Sequence, residues 1–253
     1  MTDPLFTFEP EKHTYKYDGK KMTGCTTILG VLAKPQLIPW AARMACDYIR
    51  ENASPEWDGD INNEDKVLSG YSVSLTTLAE AQVAHAKKKE DGATKGTDTH
   101  AQVEDFVKEC IADNNGYPIV ERTMTASATL TQFIHWAHDN HVRFLASEAQ
   151  FYSKKLWVAG TADLIFEQDG KRYLGDIKTY KKIWDRTPFY QCAGYALMAQ
   201  EMGEPKFDGY CIINLPKERS FKESEDIKYS FDIDGDTQAF LACVTLYRQN
   251  ANF

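Results

Sequence analysis

Apolar and polar positions alternate at the start of the chain, recur at helical spacing through its middle, and alternate again beyond residue 143. The opening FTFEPEKHTYKY alternates around a proline, which predicts a hairpin of Phe6–Phe8 with Thr14–Tyr17. Thr26–Leu32 and Pro39–Arg50 carry helical spacing, with Pro39 where a first helical turn tolerates it. Asn52–Asn63, rich in Asn, Asp, Ser and Gly, predicts a flexible loop. A helix is expected over Leu75–Lys89, broken at Asp91-Gly92. A second runs from Thr97 to Asp113, closed by Asn114-Asn115-Gly116. A third, Ala126–His141, places Leu130, Phe133, Ile134 and Ala137 on one face.

Strands dominate the C-terminal part of the chain. Phe144–Tyr152, Trp157–Glu167 and Lys171–Thr179 read as a β-meander, with Asp169-Gly170 as the tight turn of its second hairpin. A helix over Pro188–Met202, strands Tyr210–Leu215 and Ile227–Ile233, and a closing helix from Asp236 complete the pattern. The fold class is therefore α/β, a mixed sheet flanked by helices, with a mostly helical N-terminal half. No repeat or linker divides it, so residues 1–253 are expected to be a single domain, with residues 1–95 elaborating a core of about 96–253.

Composition changes this picture little; charge changes it more. Apolar and charged fractions of 43% and 26% are ordinary for a globular protein. A net charge of −8 argues against coating nucleic acid through bulk electrostatics, yet leaves room for a local groove. Three basic clusters could line one: Lys87–Lys89 with Lys95, Lys154–Lys155, and Lys178, Lys181, Lys182 with Arg186. Each could equally be a solvated surface. The six cysteines form no CxxC pair and read as reduced, mostly buried thiols, so neither a zinc site nor an iron–sulfur cluster is expected. No apolar run is long enough to span a bilayer and MTDPLFTFEPEKH lacks a signal-peptide pattern, so a cytoplasmic location with no membrane partner is expected.

The sharpest chemical signal is GTADLIFEQDGKRYLGDIK. With Asp169-Gly170 as the centre of a type I′ turn, Gln168 faces Lys171 and the register extrapolates to Asp163 opposite Asp176. Lys178, two residues on, points to the same face. Opposed carboxylates destabilise a sheet unless a cation lies between them, and hard oxygen donors suit Mg²⁺ or Mn²⁺. An exposed hairpin with an Asp–Lys salt bridge is the plainer alternative.

These residues resemble a known family. Gly160-Thr-Ala-Asp163 and Asp176-Ile-Lys178 are similar to the paired motifs of the PD-(D/E)XK nucleases, with Asp as the second acid. Gly96-Thr-Asp-Thr-His100 and Gln191-Cys-Ala-Gly-Tyr195 resemble the GxxxH and QxxxY motifs of the RecB-like exonuclease branch, which includes phage recombination exonucleases. The resemblance implies a restriction-endonuclease-like fold and DNA exonuclease activity in phage-type recombination, replication or repair. It implies metal ligation by His100, Asp163, Asp176 and the backbone carbonyl of Ile177, with Lys178 assisting attack. Gln191 and Tyr195 would contact substrate phosphate or position Lys178, and Glu148 would serve as a further acid. DNA, single-stranded or at a duplex end, is the implied substrate, and a single-strand annealing or binding protein a partner. No GxxxxGK[ST] motif occurs, so unwinding would fall to a partner. A structure-selective junction or flap endonuclease with the same core is the alternative, as is a non-catalytic DNA-binding protein. Tyr15, Tyr17 and Trp40 are candidates for stacking on unpaired bases.

Overall fold

A computed structural model of the protein describes residues 3–34, 37–58, 67–217 and 219–251. The chain divides into two compact units, one of Met1–Leu32 with Gly96–Phe253 and one of Ala33–Lys95. Among the described residues no helix is long and apolar enough to cross a membrane.

In the larger unit, the expected N-terminal hairpin is present as β1 (Phe6–Glu9) and β2 (Thr14–Tyr17), extended by β3 (Lys20–Lys21). Instead of standing apart as an elaboration, it packs on the meander: Phe6 stacks on Tyr152 at 4.6 Å between ring centroids. The short strand β4 (Thr23–Gly24) then leads into α1 (Cys25–Leu29), shorter than its helical spacing predicts.

The smaller unit holds α2 (Leu37–Asn52) and a hairpin of β5 (Ser54–Asp58) with β6 (Val67–Ser72). The hairpin corrects the loop expected over Asn52–Asn63, of which residues 59–63 lie outside the described residues. Its composition favours turns, but a cross-strand partner outweighs local preference. The second correction concerns α3 (Leu75–Asp113), which runs helical for 39 residues through the expected break at Asp91-Gly92. A mid-helix glycine costs only about 1 kcal/mol, which a long helix absorbs.

Beyond α3, all in the larger unit, come α4 (Ala128–Asp139), β7 (Arg143–Ser153), β8 (Val158–Gln168), β9 (Lys171–Lys178), α5 (Thr187–Glu201), β10 (Gly209–Asn214), the short α6 (Glu223–Asp226), β11 (Ile227–Ser230) and α7 (Ile233–Ala251). Ser127 caps α4, its Oγ accepting from the Leu130 N–H. The sheet is mixed: β11 and β10 are antiparallel, β10 and β9 parallel through the α5 crossover, and β9, β8 and β7 form the antiparallel meander. Apolar side chains fill both faces. Val103, Phe106 and Phe133 of α3 and α4 pack with Leu164 and Phe166 on one face. On the other, Tyr195 and Met198 of α5 and Phe240 of α7 pack with Ile165, Leu174 and Ile212.

Candidate active site

The turn chemistry behaves as the residues predict. Asp169 and Gly170 both adopt positive φ, 52° and 71°, as a type I′ turn requires. Pairing then runs from Gln168–Lys171 up to Leu164–Gly175 and stops. Asp163 and Asp176, next in register, do not form a ladder pair. β7 pairs along β8 from Val158 to Glu167, so β9 and β4 share the opposite edge of β8, β4 reaching Val158 and Ala159 only. Residues 160–163, the GTAD segment, therefore face a gap between β9 and β4.

Backbone accounting explains what fills that gap. The next hydrogen-bonded position would set Ile177 against Ala162, with both Ile177 backbone groups turned toward β8. Instead the Ile177 N–H donates to Asp163 Oδ2 at 2.7 Å. The Ile177 carbonyl lies 2.9 Å from His100 Nε2. A carbonyl can only accept, so this contact places the imidazole proton on Nε2. The same nitrogen is 3.4 Å from Asp163 Oδ2. A histidine from α3 thus meets a carboxylate and a carbonyl where the ladder opens.

Asp176 and Lys178 lie on the face covered by α5, and Lys178 Nζ pairs with Asp176 Oδ2. Asp176 is fully buried, and its Oδ1 has no hydrogen-bond partner among the described residues. Burial raises the Asp176 pKa against the pull of Lys178, and the Asp163 charge adds to the rise. For Asp163, burial also pushes upward, but His100, Lys178 and the Ile177 N–H together hold it below the usual carboxylate range. Burial works against the Lys178 charge, and the two carboxylates outweigh it, raising its pKa. One of the two acids is thus readily ionised and the other destabilised as an anion, beside a firmly protonated lysine.

Glu148 lies opposite Asp163 on β7, between the pairs Ser147–Leu164 and Ala149–Ala162. Its φ of 51° is a left-handed conformation that costs a non-glycine residue about 1–2 kcal/mol. Burial, then the charges of Asp163 and Glu104, push its pKa up to about 7. Glu104, which belongs to none of the sequence motifs, stands one helical turn from His100, at i+4. It forms an ion pair with Lys108 of the same helix.

Gln191 donates to the Tyr195 hydroxyl at 2.8 Å. Tyr195 is buried, which suits positioning better than direct contact with substrate. Its ring lies over Gly160, where a Cβ would come within 2.4 Å of it. A Cβ on Gly194 would likewise meet Phe240 at 2.7 Å and Cys25 Sγ at 2.8 Å. The glycines of both motifs are therefore explained by close packing behind the gap. Tyr15, a stacking candidate, is buried against Phe8 and bonded to Thr161 Oγ1 at 2.9 Å. Tyr17 lies beneath Lys154, and Trp40, in the smaller unit, meets His85 edge-on.

The donors fit a hard divalent cation. Asp163, the Ile177 carbonyl and the His100 imidazole meet at the gap, and the orphaned, buried Asp176 Oδ1 on the adjoining residue is an acceptor that a cation would satisfy. Among the described residues no three His, Cys, Asp or Glu side chains stand ready as a metal cage. His100 and Lys178 instead direct their protons at the acceptors Asp163, Ile177 and Asp176. No protein-family model matches the chain, and no curated protein matches it in sequence.

Proposed function

We propose that the protein is a divalent-metal-dependent DNA exonuclease of the PD-(D/E)XK type, RecB-like branch. The observation that carries this reading is the convergence of His100, Asp163, Ile177 O, Asp176 and Lys178 where the β8–β9 ladder opens, with a buried Asp176 oxygen left unpartnered. A structural hairpin would gain stability by continuing its ladder. These residues interrupt it and leave an acceptor unsatisfied, as sites that bind a ligand do.

Asp163, Asp176, the Ile177 carbonyl and His100 would hold Mg²⁺ or Mn²⁺. The chemistry such an ion supplies when bound is polarisation of a phosphoryl oxygen and a lowered pKa for water. Lys178, kept protonated by the two carboxylates, stabilises charge developing on the phosphate. Glu148, with a pKa near 7, can take up a proton at neutral pH. Gln191 and Tyr195 act behind the gap, holding the Gly160 segment against α5. The α/β fold with its mixed sheet and flanking helices accords with a restriction-endonuclease-like core.

The test is digestion of plasmid and end-labelled oligonucleotide in Mg²⁺, Mn²⁺ or EDTA, comparing the wild type with Asp176→Ala and Lys178→Ala. Metal-dependent cleavage that both substitutions abolish is the expected result. Undiminished cleavage by both variants overturns the assignment. A ladder of single-nucleotide products identifies the exonuclease, and discrete internal fragments the endonuclease alternative.

A further inference from the structure

The segment joining β9 to α5, residues 179–186, carries the sequence TYKKIWDR directly after Lys178. Trp184 is 69% exposed and Tyr180 47%. Lys181 and Lys182 are exposed beside them, with Lys182 Nζ 5.3 Å from the centre of the Trp184 ring. Trp is rarely left this open, because its ring is among the largest apolar surfaces a protein can bury.

The exposure is held in place at both ends. The Tyr180 N–H donates to Asn214 Oδ1 at 2.9 Å, and Arg219 Nε donates to the Lys181 carbonyl at 3.0 Å. Ile183 packs on the core face that includes α5. Arg186 is bound to Asp236 at 2.7 Å and Ser230 at 2.9 Å, and Asp185 accepts the Thr187 N–H at 2.8 Å. Both charged residues that follow Trp184 are thus engaged in structure. Beside these two engaged but exposed residues, the segment offers to solvent two aromatic rings and two lysines.

Trp184 lies six positions after Lys178, a span of about 22 Å at most. We propose that Trp184 and Tyr180 form a stacking platform for unpaired bases, with Lys181 and Lys182 pairing with the phosphates, so that the site takes a single strand or a frayed end. This inference rests on the nuclease reading and deepens it by naming the strand state of the substrate. Charge selects the occupant: in a chain of net charge −8, this patch joins cationic groups to open aromatic faces, the combination that binds single strands without reading their sequence. The platform also reassigns the stacking role expected of Tyr15, whose ring is buried.

The experiment is an anisotropy titration of labelled oligo(dT) and of a blunt duplex, in EDTA so that nothing is cleaved. It uses the full chain as wild type, Trp184→Ala, Trp184→Phe and Lys181→Ala/Lys182→Ala. Trp184→Ala is expected to weaken oligo(dT) binding about tenfold, with Trp184→Phe retaining most of the affinity. Duplex affinity should stay within about twofold. The double lysine variant should flatten the salt dependence of oligo(dT) binding. In Mg²⁺ or Mn²⁺, Trp184→Ala should raise KM for a single-stranded substrate and leave kcat unchanged. A wild type that binds and cleaves DNA beside a Trp184→Ala variant that binds oligo(dT) equally well overturns the platform alone. Equal weakening on duplex and single strand overturns it too. So does a loss of self-association in the variant, seen by sedimentation, with DNA binding intact. A wild type that neither binds nor cleaves DNA overturns the nuclease reading, and the platform with it.

Discussion

Asp176 and Asp226 are both fully buried carboxylates, yet their surroundings are opposite. Asp226, in α6, accepts a two-pronged contact from the Arg219 guanidinium, the Asn214 side-chain amide at 2.7 Å and the Lys222 N–H at 2.9 Å. Burial raises its pKa, but those donors outweigh burial and the pKa falls below the usual value. Asp176, at the end of β9, pairs with Lys178 alone, keeps an orphaned oxygen, and has its pKa raised. A carboxylate that serves the fold is saturated with donors, whereas on the function proposed above the vacant lone pair of Asp176 is where a cation would bind. On the proposed function, the contrast separates a structural acid from a functional one.

The largest expected effect tests that separation directly. Asp176→Asn should lower metal-dependent cleavage by about 10³-fold, comparable to deleting a key electrostatic group from an active site. The substitution also takes the nearest counter-charge from the buried Lys178 ammonium, which keeps only Asp163, so thermal unfolding in EDTA should show a fall in melting temperature that the loss of cleavage per folded molecule far exceeds. Cleavage per folded molecule that survives the substitution would make Asp176 a structural acid and erase the contrast.

Asp226→Asn is the mirror experiment. It leaves the Arg219 fork and the Lys222 N–H facing a poorer acceptor, at a cost of about 2 kcal/mol, a fall of roughly 4–8 °C in melting temperature. Cleavage per folded molecule should change far less than in Asp176→Asn. Asn214 links the two regions, since its Nδ2 donates to Asp226 and its Oδ1 accepts the Tyr180 N–H. Any residual loss should therefore appear in KM for single-stranded DNA, through the Tyr180–Trp184 segment.

A smaller effect is expected at Gly160. The Cβ of Gly160→Ala must displace the Tyr195 ring, which overpacks the region behind the gap at about 1–2 kcal/mol. Calorimetry should show the loss. A variant as stable as the wild type would mean that the α5 helix moves freely against β8 and holds nothing in position.

How much of the fold and site is legible in the sequence depends on the range of each interaction. The meander and its register are, because a type I′ Asp-Gly turn and strict alternation are local, and both φ values bear them out. The juxtaposition of Asp163 with Ile177 lies within one residue of the expectation. Extrapolating the ladder puts Asp163 opposite Asp176, whereas the strands part after Leu164–Gly175. Where they part, the Ile177 carbonyl and Asp163 meet His100 from a helix 63 residues upstream of Asp163, a contact that no turn rule encodes. The continuity of α3 and the β5–β6 hairpin escape sequence reasoning for a related cause: single glycines and polar composition are weak signals that distant pairing or helix length outweighs. Glu104 could have been found from its i+4 spacing to His100. Trp184 could not, because an aromatic in a loop is as often buried as exposed, and only the tethering of 179–186 shows which.

The smallest expected effect is the acid limb of stability, and its sign comes from the Asp226 shift. The folded-state pKa of Asp226 lies below the ordinary aspartate value of 3.8, so its stabilising contribution is fully present above that value. As pH falls through 3.8 toward the folded pKa, the native carboxylate resists protonation that the unfolded chain accepts, and the contribution is lost. Denaturant titrations between pH 7 and pH 2.5 should show the wild type losing stability most steeply below about pH 4, with Asp226→Asn flatter over that window and unchanged in slope above pH 5. Other carboxylates titrate in the same range, which is why the comparison is between slopes of two proteins and not within one curve. Parallel curves for wild type and variant across pH 4 to 2.5 would mean that Arg219, Asn214 and Lys222 gain nothing from the ionised form. Asp226 would then be no better satisfied than Asp176, and saturation with donors would no longer tell the two kinds of acid apart.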